Sequence, residues 1–230
     1  MGVLIGVDIG QRRDPTAICV AEVERRRVVE RSEIHFNVRY LDRLPLGTPY
    51  PAVADRVAYI ADQARERTRD ATTVYVDATG VGQPIVDLLR ERIRRAQVVA
   101  VYFTHGDQRS EGLERGYPRV TLGKAHLVSR LQMLLQTGRL HLPKTEEARV
   151  LNSELLNYEI RVDQDATDKY GAFRVGTHDD LVTALGLAVQ TDPVDPVAQF
   201  GGARQAARRR RERAGRPTIV RRGRVGRLDL

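Results

Sequence analysis

Val3-Leu4-Ile5-Gly6-Val7-Asp8-Ile9-Gly10 opens the chain as an apolar run that stops at a carboxylate. Such a run, rich in aliphatic residues, predicts a buried strand over 1–8. Residues 16–23 and 28–36 predict two more strands with short charged turns, and strands set so close pair as an antiparallel meander. A loop rich in Pro and Gly covers 44–51. Val53, Val57, Ile60 and Ala64 then share one helical stripe. Strand 73–77 follows, then a helix carrying Ile85, Leu89 and Ile93, then strand 97–103. Residues 105–118 are polar and predict a mobile loop. The remaining order is a helix over 121–136, a short strand over 140–142 and a helix over 146–158. A hairpin of strands 160–162 and 172–175, looped by 163–171, precedes a last helix over 179–189. Three strands followed by alternating helices and strands predict an α/β domain, a mixed sheet flanked by helices.

Acidic residues stand at the ends of these elements. Asp8 ends the first strand. Asp77 ends another, in Val76-Asp77-Ala78-Thr79-Gly80-Val81-Gly82. Asp179-Asp180 opens the last helix after Gly176-Thr177-His178. Each alone has an ordinary reading as a turn former or helix cap. Read together they say more. Ligands of open α/β sheets gather at strand carboxyl ends, and carboxylates gathered there repel one another unless cations intervene. The pattern predicts a site of oxygen ligands for divalent cations, the equipment for cutting a phosphodiester with two ions. Gly10 is read as leaving room for a ligand at Asp8, and Asp14 as shaping the next turn. Successive helical residues point about 100° apart, so Asp179 and Asp180 cannot face the same way. Asp180 is taken as the main ligand and Asp179 as its auxiliary.

Gly123-Lys124 is not a nucleotide-binding loop. That motif needs Gly five residues before Gly123 and Ser or Thr after the lysine, where Pro118 and Ala125 stand. Lys124 reads first as a solvated helix position with reach to a phosphate.

The net charge of +8 is concentrated at one end. From Arg204 onward eleven arginines face only Glu212 and Asp229, a surplus of nine positive charges that leaves the preceding chain one charge negative. Asp192-Pro193-Val194-Asp195-Pro196 marks the boundary. The expected domains are therefore 1–192, folded, and 193–230, a disordered basic tail that binds polyanions without reading sequence. No apolar stretch approaches the roughly 20 residues of a membrane helix, and the single Cys19 sits in a predicted strand. A cytoplasmic setting is expected.

Three groups of segments together resemble the nuclease domain of phage large terminase subunits. They are Val7-Asp8-Ile9-Gly10 with Asp14-Pro15-Thr16-Ala17, the Asp77 segment through Gly82, and His178-Asp179-Asp180-Leu181-Val182-Thr183-Ala184-Leu185. Gly123-Lys124 and Gly138-Arg139-Leu140-His141-Leu142-Pro143 add to the likeness, which runs from about residue 3 to 190. The resemblance implies a ribonuclease H-like endonuclease with two Mg²⁺ or Mn²⁺ ions. It makes Asp8, Asp77 and Asp180 the principal ligands, assisted by Asp179, and concatemeric viral double-stranded DNA the substrate. Its implied partners are a packaging ATPase, a small terminase subunit and a portal; the ATPase is expected to lie outside this chain. Lys124, Arg109, Arg115 and His178 are the candidate DNA contacts. The alternatives are a junction resolvase of the same fold and a non-catalytic DNA-binding subunit working through the tail. An actin-like sugar kinase would need a second lobe for which 230 residues leave little room.

Overall fold

A computed structural model describes residues 2–10, 14–28, 31–80, 83–162, 168–171 and 178–192. The basic tail, 193–230, lies outside them. β1 (Gly2–Asp8), β2 (Ala17–Val28) and β3 (Arg31–Arg43) form the expected meander. α1 (Tyr50–Thr68), β4 (Ala71–Asp77), α2 (Gln83–Arg92) and β5 (Gln97–Thr104) follow. Then come β6 (Arg109–Glu114), β7 (Tyr117–Gly123), α3 (Lys124–Gln136), β8 (Leu140–His141) and α4 (Glu146–Asn157). β9 (Glu159–Val162), β10 (Asp168–Gly171) and α5 (Asp180–Val189) complete the order.

Eight strands make one mixed sheet, ordered β6-β7-β5-β4-β1-β2-β3-β8. β1 lies at its centre, antiparallel to β2 and parallel to β4. Side chains alternate across a strand, and β1 obeys this strictly. Val3, Ile5 and Val7 pack with α1 and α2 on one face, while Leu4 faces the core beneath α5 on the other. β4 repeats the pattern, with Val74 and Val76 on the first face and Tyr75 on the second. The alternation therefore carries Asp8 and Asp77 to the α5 side.

α5 is buried along almost its whole length and crosses β1 at Gly6. A Cβ at Gly6 would stand 1.9 Å from the Ala184 carbonyl oxygen and 2.7 Å from the Ala188 nitrogen. Backbone against backbone cannot yield, so only glycine lets this helix lie against the sheet.

The structure revises four expectations. Residues 105–118 are not a mobile loop: β6 and β7 form a hairpin, joined by Arg115 (φ 51°) and Gly116 (φ 85°). Two successive positive φ angles suit the right-handed twist of a tight hairpin. β7 also pairs parallel with β5 and buries Val120 and Leu122, so α3 begins at Lys124 and not at 121. β3 continues to Arg43, past the predicted end at 36, because Val38 and Leu41 extend its buried face across a bulge. The strand pairing with β9 is β10 at 168–171; the predicted 172–175 lies outside the described residues. Cys19 is buried, as expected.

Candidate functional site

β1 and β4 are parallel neighbours with Val7 opposite Val76. The next residues, Asp8 and Asp77, thus emerge side by side on the α5 face. α5, seated on Gly6, brings its first turn and its N-cap residue Asp179 to the same end of the sheet. Four carboxylates from three distant segments meet there.

Their electrostatics show the crowding. Burial pushes the Asp8 carboxyl well above the ordinary carboxylate range, and the charges of Asp77, Asp179 and Asp180 push it the same way. Lys124, at the first turn of α3, opposes the shift. Burial also raises Asp77, against hydrogen bonds from Thr79 and the charge of Lys124. One Asp77 oxygen is held in its own turn by the Thr79 N–H at 2.8 Å, and the Thr79 hydroxyl accepts from Phe103 N–H at 2.8 Å. Lys124 is exposed, 5.7 Å from the Phe103 ring centroid.

Asp180 differs from the others. It is 3% exposed, and Arg43 grips both its oxygens: Nε donates to Oδ2 at 2.7 Å and Nη2 to Oδ1 at 3.1 Å. Arg43 Nη2 also donates to Oε1 of Glu154, on the buried stripe of α4. Oε2 of Glu154 accepts from Leu181 N–H at 3.2 Å. Burial, then the charge of Asp180, raises the Glu154 carboxyl to about 7. Neither Arg43 nor Glu154 was among the residues anticipated from sequence. The available signals were Arg43 continuing the period-two face of Leu41, and a carboxylate three residues beyond Leu151 on an apolar stripe.

A cleft of about 710 Å³ opens beside these groups, lined by Asp8, Asp14, Asp179 and Asp180 together with Thr48 and Tyr50. Asp77 is not among its lining residues. Gly10 lines the cleft beside Asp8 and also serves the chain's return: a Cβ there would lie 2.1 Å from the Asp14 carbonyl oxygen. Of the other anticipated contacts, exposed His178 lies beside the cleft residue Asp14, its Nδ1 3.9 Å from Asp14 Oδ1. Arg109 points elsewhere. It donates to Gln190 Oε1 at 2.7 Å, beyond the far end of α5, and pairs with Glu111. Arg115 is exposed in the hairpin turn.

The donor set is carboxylate oxygen, which hard divalent cations take. The negative charge crowded on Asp8 is what such a cation would offset, so the residues fit the group. Among the described residues, however, no three His, Cys, Asp or Glu side chains form a ready cation cage. Also among the described residues, no helix is long and apolar enough to cross a membrane.

A family described as terminase RNase H-like domain matches residues 5–191. No curated protein matches the chain significantly. Among solved structures, the large terminase nuclease from thermophilic phage G20c with bound magnesium is 19% identical, at a TM-score of 0.57 over 82% of this chain and 80% of that one. The same nuclease with bound cobalt gives 0.56 over the same shares at 19% identity. The manganese-soaked human cytomegalovirus terminase nuclease domain is 13% identical, at 0.51 over 81% of this chain and 80% of that one. These likenesses show a shared fold, which the family match describes as ribonuclease H-like.

Proposed function

The chain belongs to the terminase RNase H-like domain family, and from that premise we propose that it is a divalent-metal-dependent endonuclease acting on double-stranded DNA. The observation that carries the proposal is the convergence of four acids: Asp8 and Asp77 end neighbouring parallel strands, and Asp179 and Asp180 open the helix seated on them. Half-buried Asp8 is pushed up by burial and then by the charges of the other three. Apolar packing alone gives no reason to place four acids at one end of a sheet.

Asp8 and Asp77, with Asp180 and Asp179, would hold Mg²⁺ or Mn²⁺, as two ions. When bound, such ions supply Lewis acidity toward a phosphodiester and acidify water for attack. The chain's own residues do the rest. β1 and β4 fix Asp8 and Asp77 at neighbouring strand ends, and the Thr79 N–H orients one Asp77 oxygen. Lys124 sets a cation beside both acids, where it can meet a phosphate oxygen. The cleft between the acids and Tyr50 receives the strand to be cut. The tail adds sequence-independent affinity for DNA. In this reading the chain serves viral genome packaging in a host-cell cytoplasm, with a packaging ATPase, a small terminase subunit and a portal as partners.

Plasmid cleavage tests the proposal. Mg²⁺ or Mn²⁺ should support nicking and linearisation, a chelator should stop both, and Asp8→Asn should be inactive while still binding DNA. Metal-independent DNA binding without cleavage would contradict an enzyme and leave a binding subunit. Preference for a four-way junction over linear duplex would make it a resolvase.

A further inference from the structure

Resting on the nuclease reading, we propose that Arg43 is an internal counter-cation that competes with the divalent ion for Asp180, and that Glu154 receives the guanidinium when the ion binds.

Arg43 is the last residue of β3, and Asp180 the first of α5. Burying an aspartate without a partner is costly, and Asp180 is 3% exposed. The planar guanidinium matches a carboxylate in two parallel bonds, and Arg43 uses Nε and Nη2 in this way at 2.7 and 3.1 Å. Both oxygens are therefore engaged on their favoured in-plane side. A cation taking that side must exchange with the guanidinium. It cannot simply be added.

Arg43 cannot leave by losing its proton, and moving it into apolar surroundings would strand a charge. A second acceptor is already in place. Arg43 Nη2 donates to Glu154 Oε1, and Glu154 is 8% exposed. The other Glu154 oxygen is anchored to the Leu181 N–H of α5. The guanidinium can thus turn from two acceptors to one without shifting strand or helix. In the ion-free protein Arg43 keeps the buried carboxylate satisfied. The same bond weakens ion binding by the free energy of breaking it, a coupling between two cations at one acid.

Titration of the full chain with MnCl₂, read by calorimetry and by the thermal unfolding midpoint, tests this without using cleavage. Arg43→Met with Glu154→Gln removes the competitor and the acid it would leave unpaired. Its Mn²⁺ midpoint should fall about tenfold below wild type, inside the coupling range of roughly 5- to 150-fold. In chelator this variant should be less stable than wild type, and Mn²⁺ should raise its unfolding midpoint by more. Arg43→Lys keeps the charge but not the fork, so it should fold well and show a smaller fall. If both variants bind Mn²⁺ at the wild-type midpoint or more weakly, and the response still requires Asp8, Arg43 only positions Asp180. That result overturns the proposal and leaves the nuclease reading standing. If neither wild type nor variant shows an Mn²⁺ response that Asp8→Asn removes, both fall.

Discussion

Two places on this sheet collect acidic side chains, and their carboxyl groups are driven in opposite directions. On the outer part of the β2–β3 hairpin, Glu24 accepts from Arg26 and Asn37 and is held down at about 2. Nearby, Glu22 accepts from Arg39 at 2.7 Å. At the cleft, Asp8 is pushed up by burial and by three other acids, with Lys124 opposing. The hairpin pairs its charges where they stand, in water. The cleft gathers like charges in partial burial. The first arrangement supports solubility and register; the second marks a site prepared for a cationic ligand.

The sharpest way to break this contrast is Asp8→Asn. Metal-dependent plasmid cleavage should fall below detection. In chelator the thermal unfolding midpoint should rise, since one repelling carboxylate is gone. A fall in that midpoint would mean that Asp8 is structural, like the hairpin acids. Gly6→Ala comes next, because its Cβ would strike the backbone of Ala184 and Ala188. Overpacking of this kind costs about 3 kcal/mol or more, measurable by urea unfolding. Near-neutral stability would mean that α5 does not seat on β1, and would remove the reason for Asp179 and Asp180 to meet Asp8. Gly116→Ala, at φ 85°, should cost about 1 kcal/mol by the same assay. No cost would question the β6–β7 turn.

The smallest effect belongs to Glu24. Its folded value, about 2, lies below its ordinary 4.5. Its contribution is thus present above 4.5 and lost as pH falls through about 2. Glu24→Gln should remove that contribution, lowering stability slightly at neutral pH and converging on wild type as pH falls through about 2. A large change would show that the hairpin pair is not a solvated one.

Part of the site was legible because strands have simple rules. A run ending in Asp8 and another ending in Asp77 place their acids at strand ends; that both lie on one face follows from the register of β1 and β4, which no single strand's sequence shows. The α/β order was legible for the same reason, and α5 was legible to within one residue, read from Asp179 and found from Asp180: the apolar patterns there are strong. Arg43 was not, since it lies beyond a bulge in β3 and meets an aspartate 137 residues away. The β6–β7 hairpin escaped because a sheet-edge strand carries Arg, Ser and Glu without penalty, so its composition mimics a loop. Gly6 looked like one more small residue in a strand; its role depends on a helix that arrives only at the end of the fold.

Crystals of the wild-type protein grown with Mn²⁺ and recorded for anomalous scattering give the most direct test. A strong peak is expected within bonding distance of carboxylate oxygens of both Asp8 and Asp77. An empty cleft at saturating Mn²⁺, or a peak held by other residues alone, would contradict it.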